Sequence, residues 1–487
     1  MSRLKFVDLF AGLGGFHRAM AELGHVCVFA SEVDTGLREA YVRNFPNMKR
    51  RLYGDIRDSR DLVPEHDVLC AGFPCQPFSK SGKQQGLRDL TRGTLFFEIQ
   101  EIVRVRRPQF LILENVGNFE VHDSGRTWRT VYNSLNSLGY QVRGTTHVKS
   151  GGHGLISPHH LGFPHRRDRF FIVASRDQLP SDPFPSVNRS QPTSLASIVQ
   201  PRSTLSEEDI RESALSMRQI KCIQLWNRLI QAIPKEISIL SPLWGDETVC
   251  RYPYRRTTPY YSMLTSGGKR PPRRGRPSQH FEAKLSRLPP YARSKAAVFP
   301  KWKSDFIRDS RAWFERVQPW IPPYWREELR SLPHTLRRME WNCKGEPRDL
   351  WRYVLQFRPS GLRVHRYESC PSLVSMTITQ IPILGPEQRF ITRTEGLRLF
   401  GFPDWHALPQ SRRAAFRALG NSVHVAVVKA IGVQLVGGRN SAEPGRMATT
   451  SRPSPAVRFG SKPGPEIGVE PSVPLAQILG GTEPRGR

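Results

Sequence analysis

Lys5–Leu9, Val26–Ser31, Asp67–Ala71 and Phe110–Leu113 are apolar runs too short for helices and bounded by turn residues. They read as buried strands of a mostly parallel sheet. The stretches Phe16–Glu22 and Phe96–Val105, with apolar residues at helical spacing, supply the covering helices. Ligands of an open α/β sheet sit at the carboxyl ends of its strands. The residues that follow each run are therefore the candidates for chemistry.

After the first run comes Phe10-Ala11-Gly12-Leu13-Gly14-Gly15. Such a turn lets the backbone approach a ligand and aims helix N-terminal N–H groups at it. Its spacing is not GxGxxG. Glu32 closes the second run about 20 residues after Gly12, where an acid accepts both hydroxyls of a ribose. Asp55, in Gly54-Asp55-Ile56, is placed to take an amino group from an adenine. The three together imply a nucleoside-containing cofactor.

The third run leads into Gly72-Phe73-Pro74-Cys75-Gln76-Pro77-Phe78-Ser79. The two prolines fix their own φ and push the preceding residues toward extended backbone, which holds Cys75 stiffly as a candidate thiolate nucleophile. Residues 79–86 are polar, hold two glycines and read as a closing loop. The fourth run delivers Glu114 to the same edge. A carboxylate there is costly unless it is paired or kept protonated to donate to a ring nitrogen. Arg167 and Arg169, at strand spacing, read as a grip on a phosphate or on a base carbonyl beside Glu114. The histidines 147, 153, 159, 160 and 165 lack matching cysteines and a His-x3-His pattern, so no metal is assigned.

Lys and Arg outnumber Asp and Glu by 73 to 43, a net charge of +30 that favours a nucleic-acid partner. The sequence has no run of 18 apolar residues and no export signal, so neither membrane spanning nor secretion is expected. Seven cysteines without paired spacing suit a reducing interior.

In order, these segments resemble the motifs of the bacterial-type DNA (cytosine-5)-methyltransferases: Asp8–Gly15, Glu32, Gly54-Asp55-Ile56, Pro74-Cys75-Gln76, Arg92-Gly93-Thr94-Leu95, Glu114-Asn115-Val116, Arg167-x-Arg169, Thr394–Leu399 and Gly420-Asn421-Ser422-Val423. The resemblance covers roughly residues 4–175 and 386–435. It implies an α/β, Rossmann-like S-adenosylmethionine-dependent methyltransferase domain with a smaller, irregular target-recognition domain. It implies S-adenosylmethionine as cofactor, lined by Phe10, Gly12, Leu13, Gly14, Glu32, Asp55, Ile56, Leu95, Asn421 and Ser422. It also implies a mechanism: Cys75 attacks C6 of a flipped-out cytosine, Glu114 protonates N3, and Arg167 and Arg169 position the base and Glu114. Ser79, Ser81, Lys83 and Gln84 would close on the DNA. Members often carry Gln where His165 stands, and Arg398 reads as a junction residue.

The matching order divides the chain into a catalytic part (1–179), a recognition part (180–385), a return to the catalytic part (386–436) and a disordered tail (437–487). The basic stretch Gly267–Arg276, with Arg273 and Arg274, and Arg251–Arg256 read as DNA-contacting. Lys301–Trp325 reads as helical and aromatic-rich, serving core packing. Arg358–Arg363 reads as a groove-reading turn. The expected partners are double-stranded DNA and a cognate restriction endonuclease, with no membrane. The protein is expected to be a cytoplasmic, nucleoid-associated monomer. Two alternatives are weaker. A tRNA methyltransferase would carry a Cys-Phe-Thr tripeptide, absent here, and an inactive DNA-binding module would have lost Cys75, Glu114, Arg167 or Arg169.

Overall fold

The computed structural model describes residues 3–74, 95–148, 152–265, 279–374 and 378–437. The expected nucleophile Cys75, loop residues Ser79, Ser81, Lys83 and Gln84, Arg273, Arg274 and the expected tail beyond Gly437 lie outside them.

The apolar runs form the strands expected. β1 (Lys5–Leu9), β2 (Val26–Ser31), β3 (Leu52–Tyr53), β4 (Val68–Gly72), β5 (Phe110–Val116), β6 (Gln141–Gly144) and β8 (Arg169–Ser175) make a seven-stranded sheet of order β3-β2-β1-β4-β5-β8-β6. The first five strands are parallel, and β8 and β6 pair antiparallel at the end. The chain winds outward from β1 to β3, then crosses to β4 on the other side of β1. That reversal opens a crevice between the carboxyl ends of β1 and β4.

Both faces of the sheet are buried, which is why its strands are continuously apolar rather than alternating. On one face Phe6, Val68, Ile112 and Phe171 pack with Phe16, Ala19 and Met20 of α1 (Gly15–Glu22). α9 (Val425–Gly437) covers the same side through Val427, Val428 and Ile431. On the other face Val7, Leu69, Leu111 and Ile172 meet α3 (Leu95–Arg106) and α4 (Arg126–Ser137). Each such side chain contributes about 1.5–3 kcal/mol by burial. α9 and α8 (Arg412–Asn421) together are long and apolar enough to cross a bilayer, but most of that stretch is buried in the fold.

A second, six-stranded sheet, of order β15-β14-β11-β12-β10-β9, comes from the intervening chain. Its strands are β9 (Leu243–Trp244), β10 (Arg338–Trp341), β11 (Val354–Arg358), β12 (Gly361–His365), β14 (Ile383–Leu384) and β15 (Arg389–Phe390). β7 (His165–Arg166) and β13 (Cys370–Pro371) pair in parallel and tie this region to the seven-stranded part of the chain. The helix expected over 301–325 is shorter: α6 (Lys301–Arg316) stops before Pro319, a single 3-10 turn follows at Gln318–Trp320, and Pro322 and Pro323 delay the next α-helix until Trp325. Trp313, Phe314 and Trp325 are core residues, as the amphipathic spacing implied.

Candidate functional site

A cavity of about 790 Å³ opens at the β1/β4 crevice. Phe10, Gly12, Glu32, Asp55, Ile56, Leu95 and Asn421 line it, together with Glu114, Arg167 and Arg169. Leu13, Gly14 and Ser422 do not. Leu13 is in the core, and Gly14 caps α1 in the left-handed region, at φ 79°. A Cβ at Gly14 would sit 2.4 Å from Phe45, and one at Gly15 would sit 2.6 Å from Val423. Two of the glycines in this turn therefore serve close packing rather than ligand contact. Phe10 holds φ at 57° without being glycine, a strained backbone of the kind that clusters at binding sites.

Glu32 is fixed by backbone. Its Oε2 accepts from the Gly12 N–H and its Oε1 from the Asp34 N–H, both at 2.9 Å. A carboxylate has about four acceptor positions. Two are used here, and two remain for the paired hydroxyls of a ribose. Asp55 caps the short helix Ile56–Ser59 through the Arg57 N–H at 2.9 Å and is paired with the Arg57 guanidinium. That partner holds the Asp55 carboxyl below its ordinary range, so it stays an acceptor suited to an adenine amino group. These two acceptors thus fit an adenosyl cofactor on chemical grounds. Asp8, just before this turn, is fully buried, and burial pushes its carboxyl well above the usual range.

At the other end of the cavity Arg169 Nε meets Glu114 Oε1 at 2.8 Å. Asn115 donates to the Phe73 carbonyl at 2.9 Å, which fastens the approach to Cys75 onto β5. Asn115 belongs to the Glu114-Asn115-Val116 segment, in which the sequence assigns it no role. Nothing in its residue type or spacing signals this contact.

Arg167 is placed differently from Arg169, although strand spacing had grouped them. Its guanidinium is buried and makes no bond to Glu114. It donates to the carbonyls of Gly420 and Ser422 at 2.9 and 2.8 Å, and to Ser372 Oγ and the Leu373 carbonyl at 3.3 Å. It also lies 5.1 Å from the centre of the Phe400 ring. β8 begins only at Arg169, so the two side chains do not share a strand face. Arg398 pairs with Asp404 and donates to the Ile198 carbonyl at 3.2 Å, a junction contact. Among the histidines, His159, His160 and Asp168 bring potential ligand atoms within 4.8 Å of one another. His159 Nδ1 is already bonded to Ser157 Oγ at 2.7 Å, and Arg166 lies beside Nε2 at 3.5 Å, so a cation would meet a like charge.

Residues 4–258 and 327–437 match the C-5 cytosine-specific DNA methylase family. The chain is 32% identical to the type II methyltransferase M.AluI of Cellulosimicrobium cellulans, over 88% of this chain and 91% of that protein. It is 42% identical to M.HhaI of Haemophilus parahaemolyticus over 37% of this chain and 51% of that protein. With M.HpaII of Haemophilus parainfluenzae it shares 43% over 35% and 46% respectively. The chain thus spans about half the length of the latter two and nearly all of the first. With a cavity suited to S-adenosylmethionine on a Rossmann-like sheet, the chain belongs to the C-5 cytosine-specific DNA methyltransferases and is homologous to the modification enzymes of type II restriction–modification systems.

Proposed function

We propose that the chain methylates one cytosine within a short duplex sequence through a covalent adduct on Cys75, as the modification half of a restriction–modification pair. The observation that carries this is the Glu114–Arg169 pair in the cavity beside Phe73-Pro74, the residues that lead directly into Cys75. S-adenosylmethionine, when bound, supplies an electrophilic methyl group. Glu32 holds the ribose, and Asp55 takes the adenine amino group. Glu114 donates a proton to N3 of the extruded cytosine, and Arg169 fixes the carboxyl that does so. N3 protonation makes C6 electrophilic, so the Cys75 thiolate forms a bond to it and electron density moves to C5. Once C5 is methylated its proton leaves to a base, and the same electron pair expels Cys75 and restores the ring.

Residues 1–179 and 386–436 form the catalytic part, and 180–385 form the recognition part. The protein works as a monomer in the cytosol, on nucleoid DNA, alongside an endonuclease that cuts the same sequence. The test is whole-genome bisulfite sequencing of a methylation-free host expressing the chain, with Cys75→Ser in parallel. One short motif converted to 5-methylcytosine only with the intact cysteine is the expected result. Soluble protein that binds cofactor but leaves no methylated motif would overturn the reading.

A further inference from the structure

One face of the second sheet is apolar and lies in the core, through Met339, Trp341, Leu355, Phe357, Leu362 and Val364. The register sets Arg363 opposite Gln356 and beside Glu340, so the alternate residues Arg338, Glu340, Arg358, Arg363 and His365 share the other face. Three arginines there meet one carboxylate. Arg363 pairs with Glu340, and Arg338 donates to the Pro359 carbonyl. The Arg358 side chain makes no hydrogen bond or ion pair among the described residues, and its Nε is buried without a partner. Arg338 Nε and His365 Nε2 are orphaned in the same way.

This half-buried group is electrostatically incomplete. Burial and the neighbouring Arg363 both press the Arg358 pKa downward. Burial, then Arg363, Arg358 and Arg166, hold His365 at about 4, so it is neutral at physiological pH. A desolvated guanidinium without an acceptor is costly, and among the described residues the one carboxylate that offsets the Arg358 charge is Glu340, already paired with Arg363. The arrangement is nonetheless held firmly. Gly361 (φ 127°) lets the β11–β12 turn press onto β10, where a Cβ would sit 2.3 Å from the Arg338 carbonyl. The face also adjoins the catalytic strands. A few residues beyond His365, Ser369 Oγ accepts from Arg166 Nε at 2.9 Å, and Cys370 pairs with His165.

We propose that Arg358 is a base-reading residue of the recognition part, with the Arg363–Glu340 pair and the Gly361 turn as its positioning frame. Its occupant is the substrate duplex, and the group it takes is a purine edge rich in acceptors, as guanine O6 and N7 are in the major groove. A net positive face with a free guanidinium fork complements that edge. A side chain fixed on a strand beside a carboxylate suits reading better than the loose phosphate contacts of surface lysines. The proposal rests on the methyltransferase reading above.

The test uses the full chain, wild type and with Arg358→Gln or Arg358→Lys. Binding is measured to a duplex carrying the motif that wild type methylates and to a scrambled duplex of equal composition, between about 50 and 200 mM salt. Failure of wild type to methylate any motif would strike the functional reading, separately from this one. With Arg358→Gln the expected loss on the cognate duplex is roughly 5- to 150-fold, with no loss on the scrambled one and an unchanged salt slope. Arg358→Lys keeps the charge but not the fork, and is expected to lose cognate affinity too. Melting curves that match wild type tie these losses to recognition. Equal losses on both duplexes with a shallower salt slope would reassign Arg358 to a phosphate. Unchanged binding would leave it no role in recognition.

Discussion

Arg167→Met separates the two arginines of the Arg-x-Arg segment. The change removes two short charged hydrogen bonds, to the Gly420 and Ser422 carbonyls, and two longer ones to residues 372 and 373. A hydrogen bond to a charged group contributes about 1.5–3 kcal/mol. The two short ones therefore represent some 3–6 kcal/mol, from which the relief of burying a guanidinium must be subtracted. A net loss of about 3 kcal/mol is expected. Part of it falls on the Gly420–Ser422 segment, which carries Asn421 into the cofactor cavity. Cofactor binding must then reorder that segment, so its dissociation constant should rise by up to about two decades at 1.4 kcal/mol per decade. Calorimetric titration with S-adenosylmethionine and a thermal melt test this together. Methyl transfer at saturating cofactor should fall much less than affinity. An Arg167→Met protein that melts and binds cofactor like wild type, yet has lost methyl transfer, would refute the reasoning and return Arg167 to the base.

Arg169→Lys should show the opposite pattern: near-normal cofactor affinity and melting, with single-turnover methyl transfer down by about 10²-fold or more, since a lysine has no Nε–H to hold Glu114 Oε1 in place. Glu32→Ala should weaken cofactor binding more than any other single change in the cavity, as it removes both ribose acceptors and leaves the Gly12 and Asp34 N–H groups unpaired; unchanged affinity in titration would remove Glu32 from the site. His17, His406 and His424 are buried, and burial lowers them to about 3, 4 and 3. Their native pKa values lie below the unfolded value, so the stability they lend is complete above about pH 6.5 and is lost as pH falls toward 4, at up to 1.4 kcal/mol per pH unit each. Asp8, raised by burial, runs the other way and offsets one of them. Denaturant melts from pH 8 to pH 4 should show midpoints dropping below pH 6.5, and a flat profile would contradict neutral burial of these rings.

The strand ends were legible because apolar runs and their polar terminators are local. β2 falls on the residues expected, and Glu32 and Glu114 stand where the runs stop. Arg167 was not legible, because strand spacing says which face a residue takes only if the strand already exists, and β8 starts two residues later. Its partners lie more than 200 residues away in sequence, beyond any periodicity. The same limit applies to Asn115, and to Glu247. Glu247 is fully buried beneath the second sheet's region of the chain, and its carboxylate is met by Arg311 at 2.8 Å and the Tyr291 hydroxyl at 2.7 Å. The helix over 301–325 was misjudged for a simpler reason: apolar spacing outweighed three prolines that were in plain view.

The contact of Gly15 with Val423, and of α1 with α9, has a consequence for synthesis. The first helix leaves the ribosome with its apolar face bare, and the helix that covers it is made roughly 400 residues later, about 20–80 s at 5–20 residues per second. The far wall of the cofactor cavity, at Ala418, Gly420 and Asn421, is translated in that same later stretch. A chain released early therefore lacks both its cover and its methyl-donor site. Until residues 418–437 are made, the methyl-donor cavity is open on one side and the first helix stays bare.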